Sequence, residues 1–113
     1  MTMRIFLLTA ALFTFASTSH AADPIIGNWK TEVGTTAAIE PCGGGYCIVL
    51  RTGKHKGEQI GTFKGSGSSY SGKITDPDAK KTYDGKMTVS GNSIKMSGCV
   101  MRVFCQSQTW SRL

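Results

Sequence analysis

The chain has 113 residues, with 13 lysines and arginines against 7 aspartates and glutamates, so its formal net charge is +6 at pH 7. This length suffices for one domain with a small core. The positive excess would suit contact with anionic surfaces, but the lysines are scattered, and scattered lysines are more often a solvated face. The scattered lysines therefore do not indicate a nucleic acid as a partner, and an export signal in the first 21 residues argues against one as well.

The first 21 residues have the three parts of a cleavable secretory signal. Arg4 supplies the positive start, and residues 5–16 form an apolar run without charge. This run is shorter than the roughly 20 residues that span a bilayer, so we expect no membrane span. Residues 19–21 offer the small residues that a signal peptidase reads, so we expect cleavage after Ala21, with Ala22 as the alternative. The mature protein, 22–113, is therefore expected to be a single domain in the periplasm or outside the cell.

The mature chain alternates short apolar runs with glycine, serine, asparagine and aspartate turns, a pattern typical of strands and hairpins. The predicted strands lie, in chain order, within 25–31, 47–50, 60–64, 70–74, 83–89, 94–96 and 108–112. Tight turns are predicted at 76–78 and 90–92, and a flexible loop at 65–69. We predict an all-β fold, an antiparallel meander of about eight short strands. Closure into a barrel is expected because it removes unpaired strand edges.

Four cysteines in a short exported chain indicate disulfides, because the oxidising compartment forms them and a small core needs them. Cys42 and Cys47 flank a glycine-rich tip, and Cys99 and Cys105 flank a second short loop. Neighbouring cysteines are the favoured partners among three possible pairings, and each closed loop contributes on the order of 2 kcal/mol. Zinc binding and redox catalysis are disfavoured, since neither pair forms a CxxC motif.

The loop inside the second cysteine pair is largely apolar. Such side chains can form a contact patch for a partner, a lipid or a ligand. They can also fold back over the open end of the barrel and plug it, and we favour the plug. The candidate binding residues of this loop are Val100, Met101, Val103 and Phe104.

No arrangement of residues indicates catalysis. His55 is the one histidine outside the signal segment, and the lysines on both sides of it should disfavour its protonated form. With paired cysteines, neither a Ser-His-Asp nor a Cys-His site can be drawn. Asp76 and Asp78 lie in a predicted turn, where aspartates bond to local backbone, and a calcium loop would need a closing glutamate. We expect no enzyme activity, no metal and no cofactor.

Three segments together resemble a known family. Residues 27–31 are G-N-W-K-T, residues 72–83 begin G-K-I-T-D-P and end K-T-Y, and residues 107–112 are S-Q-T-W-S-R. In this order and spacing they resemble the bacterial exported proteins grouped as domain of unknown function 2147, over essentially the whole mature chain. The resemblance implies a lipocalin-like or calycin-like β-barrel without an established activity.

The resemblance also implies roles for single residues. In calycin-type barrels a tryptophan of the first strand meets an arginine of the last strand. This implies a cation–π contact between Trp29 and Arg112, and a structural role for both, with Trp110, in closing the barrel. The motif residues that are candidates for binding are Asp76, Lys81 and Tyr83.

Barrel capacity bears on function, because a barrel of eight strands either is filled by its side chains or holds one small ligand. The mature chain has roughly the two dozen large apolar residues that filling requires, so we expect a shallow pocket at most. The first hypothesis is a monomer that recognises an envelope macromolecule or membrane surface through its loops. The alternative is a lipocalin-like binder of a small apolar molecule, with a pocket lined by Trp29, Tyr70, Tyr83 and Met87.

Overall fold

The computed structural model describes residues 23–100 and 104–113. The predicted signal segment, 1–21, and residues 101–103 of the apolar loop lie outside the described residues, as does the side chain of Phe104. Every regular element in the described part of the chain is a strand. Within this part, no helix is long and apolar enough to cross a bilayer.

Eight antiparallel strands form the fold. They are β1 Gly27–Lys30, β2 Thr36–Cys42, β3 Gly45–Leu50, β4 Gln59–Ser66, β5 Ser69–Asp76, β6 Lys81–Ser90, β7 Ser93–Val100 and β8 Phe104–Arg112. Each strand pairs with its neighbours in sequence, and β8 returns to pair with β1, which closes the barrel. The predicted all-β meander closed into a barrel is confirmed.

Two details of the strand prediction are wrong. β2 is absent from the predicted strands, because Ala37, Ala38 and Ile39 are buried in succession and hide the alternation expected of a strand. The flexible loop predicted at 65–69 is mostly strand, since β4 continues to Ser66 and β5 begins at Ser69. Cross-strand pairing thus extends further into this glycine- and serine-rich hairpin than composition alone indicates.

The closure of the barrel depends on a short ladder between its first and last strands. Only two residue pairs, Trp29–Arg112 and Lys30–Ser111, join β1 to β8. Side chains extend this ladder. The Arg112 guanidinium lies 4.2 Å from the centre of the Trp29 ring, and its Nη1 donates to the Ile26 carbonyl at 3.2 Å. The predicted cation–π contact is therefore confirmed.

Both predicted disulfides are formed, between Cys42 and Cys47 and between Cys99 and Cys105. The first joins β2 to β3 and the second joins β7 to β8, so each bridge holds one hairpin together. Beyond the second bridge, Val100 ends β7 and is 39% exposed. The predicted plug depends on residues outside the described part of the chain, and it stays a prediction.

Large side chains fill only one half of the barrel. The buried residues of this filled half are Ile25, Trp29, Ala37, Ile39, Ile48, Phe63, Tyr70, Met87, Val89 and Ile94. Phe63, which is 2% exposed, lies across the barrel against the inward-facing Gly85. A Cβ placed on Gly85 would lie 2.8 Å from the Phe63 ring. Glycine at this position therefore makes the space that the ring occupies.

Gly85 and Gly98 are register partners on β6 and β7, and they provide a matched pair of substitutions. We expect Gly85→Ala to reduce the free energy of unfolding by roughly 1–3 kcal/mol, because the buried Phe63 ring must move. A Cβ on Gly98 would meet Tyr83 at 3.4 Å, an ordinary contact, so Gly98→Ala should change stability by less than about 1 kcal/mol. Urea unfolding of both variants measures the difference, and equal losses would contradict this packing.

Candidate functional site

The other half of the barrel holds a cavity of about 390 Å³. Its mouth is formed by the β1–β2 turn, the β3–β4 loop and the β5–β6 turn. A volume of this size lies within the range of roughly 300–1,000 Å³ that is typical of small-molecule sites. The cavity lies at one rim of the barrel, as predicted, and its volume is larger than that of the shallow pocket expected there.

The reason lies in where the apolar residues are placed. The large apolar residues of the chain are numerous enough to fill the barrel only if nearly all of them face inward. Val33 is 82% exposed and Leu113 is 65% exposed, so neither fills the interior. At inward positions of the open half, β7 and β8 instead carry Gly98, Gln106 and Gln108. Gly98 leaves space where a large side chain would have filled it, and both glutamines are exposed to solvent rather than packed in the interior.

The floor of the cavity is apolar. Its lining side chains are Leu50, Ile60, Ile74, Met96 and Trp110. Trp110 was expected to act in barrel closure with Trp29 and Arg112. It is 3% exposed and separates the filled half from the cavity, so it packs in the core and also lines the site.

Tyr83 is the one member of the predicted pocket that lines the cavity. Trp29, Tyr70 and Met87 are each 3% exposed or less and belong to the filled half. All four residues point inward, as their alternation predicted. Alternation gives the side of a strand but not the height along the barrel axis, which depends on the register between strands.

One wall of the cavity is polar and comes from β8. Gln106 and Gln108 both line the cavity and are exposed to solvent there, while Ser107 between them does not line it. The indole Nε1 of Trp110 donates a hydrogen bond to Oε1 of Gln108 at 3.1 Å. Gln108 and Trp110 are two residues apart in the predicted strand 108–112 and so share a face, but neither glutamine is among the predicted site residues. The signal was present, because a polar residue on an inward face is unusual unless it has a partner.

A cluster of charged side chains joins two of the turns at the mouth. Asp78 of the β5–β6 turn accepts from Lys54 at 2.7 Å and contacts His55 Nε2 at 3.0 Å, both from the β3–β4 loop. Nδ1 of His55 lies 3.3 Å from Glu58. Both ring nitrogens of His55 therefore face carboxylates.

These contacts set the protonation of the cluster. The hydrogen bond that His55 donates to the Asp78 carboxylate is the main cause that raises the pKa of His55, and Glu58 adds to it. Lys54 and then His55 lower the pKa of Asp78. The expected effect of the flanking lysines on His55 is wrong, because Lys54 is paired with Asp78 and two carboxylates face the imidazole.

Two of the three candidate binding residues that the family motif suggested line the cavity, and the third does not. Asp76 and Tyr83 line the cavity, whereas Lys81 is exposed and is the register partner of Asp76 on β6. Oδ1 of Asp76 accepts the backbone N–H groups of Asp78 and Ala79 at 2.9 and 3.2 Å, as predicted for this turn. Asp78 does not share that local role, since its carboxylate binds Lys54 and His55.

Among residues 23–100 and 104–113, no group of three histidine, cysteine or acidic side chains is placed to hold a metal ion.

The structure thus defines a small up-and-down β-barrel with a cavity open at one end. Residues 50–112 match a family described as an uncharacterized protein conserved in bacteria (DUF2147). The match covers more than half of the chain, so the protein belongs to this family, as the resemblance implied. It includes β4 to β8 and begins after the opening motif at 27–31. No curated protein and no solved structure matches the chain.

The charged cluster predicts a pH dependence of stability. Because the folded pKa of His55 is raised above its ordinary 6.5, its contribution is complete below that value and is lost as pH rises through the folded pKa. Because the pKa of Asp78 is lowered from 3.8, its contribution is present above that value and is lost as pH falls through the folded pKa. His55→Gln should therefore reduce the fall of the urea midpoint that accompanies a rise of pH above 6.5.

Lys56→Gln serves as the control, because it removes an exposed positive charge next to His55. This variant should retain the pH dependence of the wild type. If the midpoint of His55→Gln changes with pH as much as that of the wild type, the cluster does not couple protonation to folding.

Proposed function

We propose that this protein is an exported binder, without enzymatic activity, of a small molecule that has an apolar body and a polar group. The observation that carries the proposal is the cavity of about 390 Å³ in the open half of the barrel. Burying apolar surface in such a site contributes roughly 25 cal/mol per Å². A few polar groups at the wall would then set the orientation of the ligand.

The composition of the cavity supports an apolar body for the ligand. The five floor residues, which come from β3, β4, β5, β7 and β8, present continuous aliphatic and aromatic surface. The polar groups lie higher, on the β8 wall and at the mouth. A ligand that enters with its apolar end first would bury that end against Trp110 and leave its polar end near the glutamines.

The mouth cluster supports binding without turnover. His55 is the described residue best suited to proton transfer at neutral pH, but both of its ring nitrogens face carboxylates of the protein. A general base must have a nitrogen or oxygen within reach of the substrate proton. The geometry gives the cluster a structural task, which is to hold the β3–β4 loop against the β5–β6 turn.

Export is supported by the sequence and by the disulfides. The first 21 residues have the pattern of a secretory signal, and both cysteine pairs are bridged. Disulfides persist in oxidising compartments and are rare in the cytosol. We therefore place the protein in the periplasm or outside the cell.

Recognition of an envelope macromolecule or a membrane surface through the loops is the second candidate. It is supported by two apolar side chains near the mouth, because Val33 is 82% exposed and Val100 is 39% exposed. Replacing both by serine should abolish such recognition. Val33 also lines the cavity, so Val100→Ser alone is the variant that separates the two candidates: it should weaken recognition and leave uptake of a small probe unchanged.

Filling the cavity tests the first candidate. The uncharged fluorophore N-phenyl-1-naphthylamine should bind the wild-type protein with increased emission. Gly98 lines the cavity and can accept a Cβ, so affinity should fall progressively for Gly98→Ala, Gly98→Val and Gly98→Leu. We expect Gly98→Leu to weaken binding at least about tenfold, which corresponds to about 1.4 kcal/mol.

Ser107→Leu is the matched control, because it adds the same side chain to the outer face of the neighbouring strand. It should bind the fluorophore as the wild type does. Circular dichroism and urea unfolding of every variant separate loss of the site from loss of the fold. If a folded Gly98→Leu binds the fluorophore as tightly as the wild type, the proposed site is wrong.

A further inference from the structure

The geometry points to a ligand whose polar group is a neutral hydrogen-bond acceptor of the carbonyl type, as in an ester, a ketone or an amide, received by the side-chain NH₂ of Gln108. This inference rests on the proposed function, because it concerns what occupies the same cavity. It adds the chemical class of the ligand and the residue that selects it.

The contact with Trp110 orients the amide of Gln108. An indole N–H can only donate a hydrogen bond, so the atom of Gln108 that lies 3.1 Å from it must be the carbonyl oxygen. Trp110 is 3% exposed and is held in the core beside its register partner Ile94. The donor that orients the amide is therefore held by packing in the core. The NH₂ group of Gln108 lies on the opposite side of the amide.

This NH₂ group is available to a ligand. Among the described residues it has no protein partner, and neither does the side chain of Gln106, two positions earlier on the same wall. A donor that lines a cavity must be satisfied by water or by an acceptor on the ligand. A ligand without an acceptor would strip water from these donors and leave them unpaired, which costs affinity.

The charges around the cavity favour a neutral acceptor over a carboxylate. Of the described residues that line it, Lys54 and His55 are the basic ones, and both bind Asp78. The carboxylate of Asp76 also lines the cavity. A carboxylate ligand would thus be repelled by the carboxylate of Asp76, and neither basic side chain that lines the cavity is free of Asp78 to offset that repulsion.

The orientation of the Gln108 amide also disfavours an amine as the group that its NH₂ receives. An ammonium or amine N–H would face the NH₂ donors of Gln108, and two donors cannot satisfy each other. Such a group would have to bind the carbonyl oxygen of Gln106 or the carboxylate of Asp76 instead. A carbonyl oxygen has two lone pairs and can accept from Gln106 and Gln108 together.

Three probes of similar shape test the inference. The first is 6-propionyl-2-(dimethylamino)naphthalene, whose emission shifts to longer wavelength when its carbonyl accepts a hydrogen bond. The second is 2-(dimethylamino)-6-propylnaphthalene, which lacks the carbonyl. The third is 6-(dimethylamino)-2-naphthoate, which carries a carboxylate. Wild-type protein should bind the ketone about fivefold to tenfold more tightly than the propyl compound, and the naphthoate more weakly than the ketone.

Two variants of Gln108 separate selection from structure. Gln108→Glu keeps an oxygen that can accept from Trp110 and removes the NH₂ donors. Gln108→Met removes both groups and keeps the approximate length of the side chain. In both variants the preference for the ketone over the propyl compound should disappear, because the propyl compound makes no hydrogen bond that the substitution can remove.

The outcomes distinguish the two proposals. If none of the probes binds the wild type, or if their binding survives Gly98→Leu, the proposed function fails. If the probes bind in the cavity but the preference for the ketone is absent, or persists in both Gln108 variants, the inference fails and the proposed function stands. Tighter binding of the naphthoate than of the ketone would also overturn the inference.

Discussion

The contact between the Arg112 guanidinium and the Trp29 ring is the interaction on which the rest of the structure depends. β1 has four residues and shares only two register pairs with β8, so the backbone alone closes the barrel weakly. The ring and the guanidinium add a contact at 4.2 Å, and the Glu32 carboxylate accepts the Thr109 N–H at 2.8 Å just beyond the end of β1. Without this closure, β1 and β8 would be free edges and the interior would be open to water along its length.

Closure at one end leads to a barrel whose two halves differ. Trp29, Phe63 and their neighbours fill the half next to the Arg112 contact, and that packing provides most of the core. The open half carries Gly98, Gln106 and Gln108, which line the cavity. Trp110 lies between the halves, so one side chain belongs both to the core and to the site.

Much of the fold was predictable from local patterns. Alternation along 83–89 and the turn residues at 90–92 predicted β6 and its hairpin, and neighbouring cysteines predicted both disulfides. The site was much less predictable, because its residues meet only through register. The ion pair of Lys54 with Asp78 joins two turns that are far apart in sequence, and no spacing rule relates them. Asp76 and Tyr83 lie in a motif of the resembling family and were therefore predictable as site residues. Gln108 was not predicted, because a single polar residue in a strand does not by itself indicate a site.

The central claim is that the open half of the barrel binds a small molecule and the filled half does not. The two tryptophans test it most directly, since Trp110 lines the cavity and Trp29 is buried in the filled half. A ¹H–¹⁵N NMR titration with N-phenyl-1-naphthylamine resolves both indole N–H signals. We predict that the Trp110 indole and the Gln108 NH₂ signals shift in a saturable way while the Trp29 indole signal stays in place. Saturable binding that shifts only the Trp29 signal, or neither indole, would contradict the account.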